Sequence, residues 1–171
     1  MSRNIIISGA SVALAAMTET DQPKFLQWLQ NPALRAQIDD PRIPTMEDQR
    51  QWFQRVQKPD RKFFSLVTVP DGALIGNCGF VDIDPVKGEA TLRITIGDPN
   101  AHGKGYGTEA VQLLLKHSFE VMGMKRVLLK VLKSNKRAVR IYEKAGFSVL
   151  SENIENDRAI LTMFIKNPKA L

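Results

Sequence analysis

The segment "DPNAHGKGYGTEA" (98–110) sets glycines at alternate positions 103, 105 and 107, and a helix-like apolar pattern follows at once. Glycine in a helix interior costs about 0.5–1 kcal/mol relative to alanine, so a helix entered through three of them needs a compensating reason. The segment also marks a change of architecture. Before it, "FFSLVTV" (63–69), "ALIGNCGFVDI" (73–83) and "EATLRITIG" (89–97) read as strands joined by turns at "PDG" and "PVKG", an antiparallel meander. After it, Val111, Leu114, Leu115, Phe119 and Met122 recur on one face of a helix over about 107–122, stopped by Gly123. The apolar strand "RVLLKVL" (126–132) follows. A strand–helix–strand unit joins parallel neighbours, so a parallel pair is expected inside an otherwise antiparallel sheet.

A second helix spans about 135–145 up to Gly146, and the strands "FSVLSENI" and "RAILTMFIK" close the chain around an "END" turn. Near the start, Val12, Leu14 and Ala16 alternate as in a half-buried first strand. Ser8, Gly9 and Ser11 interrupt the apolar run that would otherwise imitate a secretory signal. Thr18 or Thr20 can cap a helix carrying Phe25, Leu26, Trp28 and Leu29. "NPALRAQIDDPRIP" (31–44) reads as a helical turn and a proline-punctuated loop. Thr45 and Asp48 make a capping box for a helix whose Trp52, Phe53 and Val56 share a face. With no internal repeat or linker, residues 1–171 read as one domain. The expected fold is α/β, a mixed and mostly antiparallel sheet of about six to seven strands with helices on both faces.

Composition narrows the function. A lone Cys78 excludes an internal disulfide and reads as a small buried apolar residue, and two histidines are too few for a histidine-rich metal site. No run approaches the roughly 20 apolar residues that cross a bilayer, so a cytoplasmic protein without a membrane partner is expected. The formal charge is +6, and residues 102–144 hold ten Lys or Arg against three Glu. That basic half suits an anionic ligand. Aromatics are only 7%, and no basic recognition helix or stacking platform points to nucleic acid.

The glycine segment matches neither the Walker A spacing nor G-x-G-x-x-G, because its glycines run G-x-G-x-G. What remains is a loop of backbone N–H groups leading into a helix N-terminus, where orphan amides and the helix dipole bind phosphate. A tight strand-to-helix turn alone would need one or two glycines.

"IGDPNAHGKGYGTEAVQLLLKHSF" and "NKRAVRIYEKAGF" together resemble the two signature segments of the GNAT acyl-CoA N-acetyltransferases, in the branch with ribosomal-protein N-terminal and spermidine acetyltransferases. "WLQNPALRAQI" and "DQRQWF" extend the likeness over nearly the whole chain. The family pattern [QR]-x-x-G-x-[GA] falls on His102–Gly107, where Gly105 and Gly107 match and His102 departs. The resemblance implies acetyl-CoA as co-substrate and no metal. It implies that backbone groups of Ile94, Thr95 and Ile96 receive the pantetheine arm. His102, Gly103, Lys104, Gly105, Tyr106, Gly107 and Thr108 would surround the pyrophosphate, and Asn135, Lys136, Arg137 and Lys144 would touch the cofactor elsewhere. On spacing alone Tyr142 reads as a core tyrosine beside Ala138, Ile141 and Ala145; within the resembling motif it matches the family's general acid.

The amine must arrive neutral and the leaving thiolate must take a proton. Many relatives carry Glu where this chain has Thr91, which cannot act as a base; Glu89, Asp82 and Asp84 lie nearby, and the base stays unassigned. The implied acceptor is a primary amine: a protein N-terminus first, with a polyamine, amino sugar or aminoglycoside as alternatives. A non-catalytic acyl-CoA-binding module is the competing reading, and a homodimer stays open.

Overall fold

Ser8, Gly9 and Ser11 do more than interrupt the N-terminal apolar run: the chain folds back there. The single first strand expected is a hairpin of two, β1 (Ile5–Ser8) and β2 (Val12–Ala16), so the sheet has eight strands. The computed structural model describes residues 2–38 and 42–170. The loop expected over 31–44 thus falls in part, at residues 39–41, outside the described residues, as do the two end residues of the expected 1–171 unit.

A 3-10 turn at Glu19–Asp21 leads into α1 (Gln22–Leu29), followed by α2 (Pro32–Arg35) and α3 (Met46–Arg55). The meander is β3 (Lys62–Thr68), β4 (Leu74–Asp84) and β5 (Glu89–Ile96). The crossover helix α4 (Tyr106–Lys116) ends in a π-helical turn, His117–Val121, before β6 (Arg126–Leu132). Then come α5 (Lys136–Lys144), β7 (Ser148–Glu155) and β8 (Arg158–Lys166). All strands join one sheet in the order β1-β2-β3-β4-β5-β6-β8-β7. Every neighbouring pair is antiparallel except β5–β6.

Strand alternation assigns the two faces. Val12, Leu14, Phe64 and Leu66 join the main core with Ala110, Val111 and Leu114 of α4. The opposite face carries α1 and α3. There Phe63 meets the Trp52 ring edge-on at 5.3 Å, and Ser65 Oγ donates to the buried Asp21 carboxylate at 2.7 Å. Asp21 also pairs with Arg3 at 2.8 Å and accepts from Thr18 N–H at 3.1 Å, so this buried charge is fully met. Trp28 lies against Gly97, where any Cβ would collide with the indole; that contact seats α1 over the end of β5. Thr45 and Asp48 form the expected capping box. Cys78 is buried in the main core, and burial drives its thiol pKa up, away from reactivity.

Candidate active site

The parallel pair is short. Glu89, Ala90 and Thr91 pair with Arg126, Val127 and Leu128, and there the ladder stops. Beyond that point each strand keeps its outer partner: β5 stays on β4 out to Ile96, and β6 stays on β8 out to Leu132. Two strands that part in this way open a cleft through the sheet and leave backbone polar groups of β5 without a strand partner. The cleft holds about 390 Å³ and is lined by Arg93–Ile96 on one side and Lys130–Leu132 on the other. Helix α4 contributes Gly107 and Val111, and α5 contributes Arg137, Ala138, Ile141 and Tyr142.

The glycine segment enters α4 at the mouth of this cleft. Gly103 (φ +76°) and Gly105 (φ +81°) occupy left-handed backbone, and an added Cβ at either would meet only open space. Glu109 N–H bonds back to Gly105 carbonyl, which leaves the amides of Tyr106, Gly107 and Thr108 as the unpaired first-turn donors of α4. An anionic diphosphate fits such a cradle. The third glycine serves a different end. A Cβ on Gly107 would sit 3.3 Å from Ile141 Cδ1 and 3.4 Å from Ile96 Cδ1, so its absence lets α4 pack closely on α5 and β5. His102 folds back, its Nε2 lying 2.8 Å from the Ile96 carbonyl oxygen. A carbonyl can only accept, so that bond needs the proton on Nε2.

Asn135 caps α5, its side chain accepting from Ala138 N–H at 3.2 Å. The helix thereby aims Tyr142 into the cleft, 8% exposed and edge-on to Phe147 at 5.9 Å. Burial pushes its phenol up to about 12, against the opposing pull of the Arg93 charge. Among the described residues no side chain hydrogen-bonds the Tyr142 hydroxyl. A purely structural buried tyrosine would normally have found such a partner.

A second cleft of about 590 Å³ lies on the α1–α3 face. Arg93 and Thr95, whose side chains share one face of β5, line both clefts, so the opening between β5 and β6 connects the two sides of the sheet. The candidate bases separate here. Glu89 is bound to Arg126 at 2.6 Å beside the closed end of the pair, and Asp84 caps the amides of Val86 and Lys87. Asp82 sits at a β4 irregularity with φ +51° and lines the second cleft.

Of the residues singled out in the sequence, Ile94, Thr95, Ile96, His102, Gly107, Asn135, Arg137 and Tyr142 line the first cleft. Gly103, Lys104, Gly105, Tyr106 and Thr108 belong to the loop and helix start at its mouth, and Lys136 and Lys144 are exposed on α5 outside it. Sequence reasoning missed Leu34, Ile38 and Arg93, which close the space between the clefts. The polar run Thr91, Arg93, Thr95 on one face of β5 was the available signal for Arg93.

Residues 11–148 match the family model described as an acetyltransferase (GNAT) domain. The chain is 38% identical to the spermidine N(1)-acetyltransferase of Escherichia coli strain K12 over 82 residues, 48% of this chain and 44% of that protein. It is 32% identical to the mycothiol acetyltransferase of Salinispora tropica over 148 residues, 85% of this chain and 42% of that protein. These matches span less than half the length of either relative. Among solved structures, the spermidine N-acetyltransferase of Vibrio cholerae in complex with CoA and spermine superposes with a TM-score of 0.83. It is 20% identical, over 91% of this chain and 95% of that one. A GNAT-family acetyltransferase from Bacillus anthracis gives 0.80 at 19% identity, over 94% and 97%. The divided β5–β6 pair and its glycine-led crossover helix therefore have a known setting: this chain belongs to the GNAT acetyltransferase family.

Proposed function

We propose that the chain transfers the acetyl group of acetyl-CoA to a primary amine in one direct step, with Tyr142 as the general acid. The observation that carries this reading is the single cleft bordered by the open edge of β5, the amide cradle ahead of α4 and a buried, still protonated Tyr142 hydroxyl. When bound, acetyl-CoA supplies a thioester-activated acetyl group and an anionic diphosphate handle. Residues 103–108 would hold the diphosphate on their amides, and Thr95 with its neighbours in β5 would offer backbone groups to the pantetheine arm. Lys104, Lys136, Arg137 and Lys144 would add positive charge around the mouth.

Tyr142 keeps its proton across the neutral range, because burial disfavours the phenolate. It can therefore give that proton to the sulfur as the C–S bond breaks and the amine nitrogen bonds to the carbonyl carbon. The surplus proton of that nitrogen then restores the phenol, directly or through water. Arg93 borders the same space, and its charge disfavours an ammonium there, helping the acceptor to arrive neutral. The acceptor reading has two supports of different kinds. Named relatives act on spermidine, which favours a polyamine. The volume of the second cleft, about 590 Å³, and its arginines favour the N-terminus of a peptide, the acceptor expected from the sequence. Calorimetry with acetyl-CoA, followed by a turnover screen over peptides, polyamines, amino sugars and aminoglycosides, tests the proposal. Binding and acetylation of one amine class are expected; a folded protein that does not bind acetyl-CoA would overturn it.

A further inference from the structure

The charged lining of the second cleft is one-sided. Among the described residues it contains five arginines, Arg35, Arg42, Arg55, Arg61 and Arg93, and no lysine. Against them stand Asp48 and Asp82. Asp48 is already committed: Thr45 N–H and Oγ1 both donate to its carboxylate and hold its pKa low, with the charges of Arg42 and Arg55 adding to the effect. Arg61 leans on Asp60 at 4.0 Å. Arg35 and Arg93 meet no carboxylate among the described residues, and Arg35 Nε is buried without a hydrogen-bond partner. A guanidinium that lines a cleft with its Nε buried and unbonded is a charge the surrounding side chains leave uncompensated. Trp28, Trp52 and Phe63 line the same space with aromatic surface.

Resting on the acetyltransferase reading, we propose that the acceptor amine is carried by an anionic molecule, one with a carboxylate or phosphate beyond the amine that docks on Arg35 and Arg55 while the amine reaches Arg93 and the open β5–β6 edge. Guanidinium groups present a planar fork that carboxylates and phosphates satisfy two oxygens at a time. A polycation has the opposite fate. It must shed water to enter a cleft of its own sign, where its ammonium groups meet five arginines and, among the described residues, only Asp48 and Asp82. The direction of the field thus separates this chain's acceptor from spermidine, the substrate in the names of several relatives.

Binding to the protein saturated with coenzyme A tests this without relying on turnover. The probes are a free-amine, C-terminally blocked Ser-Glu-Glu-Ala peptide, its Ser-Lys-Lys-Ala counterpart, glucosamine 6-phosphate against glucosamine, and spermidine. The anionic member of at least one pair should bind about tenfold or more tightly than its partner, and that preference should shrink with added salt. Preference within the peptide pair identifies a carboxylate acceptor, and preference within the sugar pair a phosphate one. Arg35→Gln and Arg55→Gln should each remove most of the preference. Equal binding within both pairs, or tighter binding of spermidine than of either anion, would overturn the anionic acceptor. Coenzyme A affinity on the same samples separates the two claims: its absence sinks the acetyltransferase reading, whereas its presence with a spermidine preference sinks only the acceptor.

Discussion

Tyr142 has two candidate roles, core packing and proton donation, and its surroundings make them separable by experiment. A tyrosine on the apolar face of a helix is ordinarily a core residue with its hydroxyl bonded to a neighbour. Here the ring is buried against Phe147 and the hydroxyl has no side-chain partner among the described residues. Tyr142→Phe removes only an oxygen and keeps the ring on Phe147, so it separates the proposed acid role from a core role. Turnover should fall about 10²–10⁴-fold, with acetyl-CoA affinity close to unchanged. Melting temperature should stay near the parent value; a drop matching a lost buried hydrogen bond, about 1 kcal/mol, together with normal turnover, would return Tyr142 to the core. The raised phenol pKa sets a further sign. The acid form persists up to about pH 12, so no falling limb from Tyr142 should enter the rate profile between pH 7 and 10.

At the scale of elements, the N-terminal hairpin and the crossover helix act on each other. Glu109, in the first turn of α4, accepts from Ser11 N–H at 2.9 Å and from Val12 N–H at 3.4 Å, plugging the β1–β2 turn with a carboxylate. Gly9 leaves the room, since a Cβ there would collide with the Glu109 carboxylate. The same helix end carries the orphan amides of the cradle, so turning Glu109 toward the hairpin keeps its negative charge from filling that cradle. Glu109→Ala should leave the Ser11 and Val12 amides unmet and destabilise the protein by about 1–3 kcal/mol, read by chemical denaturation. Hydrogen exchange should rise first in residues 5–16; unchanged protection there would mean that Glu109 does not tether the hairpin. The three glycines around the start of α4 divide the labour in a way their even spacing conceals. Gly103 and Gly105 supply left-handed backbone, and Gly107 supplies close helix packing.

Across the whole molecule, two buried polar groups set the response to acid. His117 lies in the π-helical turn, edge-on to Phe64 at 5.2 Å, and its Nε2 has no hydrogen-bond partner. Burial lowers its pKa, and the Lys62 charge lowers it further. The unfolded chain therefore binds this proton more readily than the folded one, so stability is present above the ordinary histidine range and is lost as pH falls through it. Asp21 works in the same direction at lower pH. Burial alone would raise its pKa, but the bonds from Arg3, Ser65 and Thr18 outweigh that and hold it low. Its contribution is present above the ordinary carboxylate range and lost as pH falls toward the folded value. Melting temperature should thus decline from pH 7 to 5 and again below pH 4. His117→Leu should flatten the first decline and leave the second; an unaltered slope between pH 7 and 5 would remove His117 from the account.

The sequence by itself determined the element order from β2 onward, the turn from meander to crossover, the parallel neighbour relation of residues 89–97 and 126–132, and the cap at Thr45. These are local matters: period, turn residues and capping side chains act within a few positions of one another. It also carried the family, because the glycine loop and the segment around Tyr142 are contiguous stretches of chain. Only the tertiary structure decided that β5 and β6 part after Thr91, since each strand's outer partner, β4 or β8, governs its path and neither is visible from the strand itself. The arginine-lined cleft was hidden for the same reason. Arg35, Arg55 and Arg93 come from α2, α3 and β5, 58 residues apart at the extremes, and meet only when two helices close over one face of the sheet. Charge summed along the chain pointed to residues 102–144, whereas among the described residues five arginines from the part of the sequence whose net charge is near zero line one second cleft. Electrostatic fields depend on distance through the fold, not along the chain.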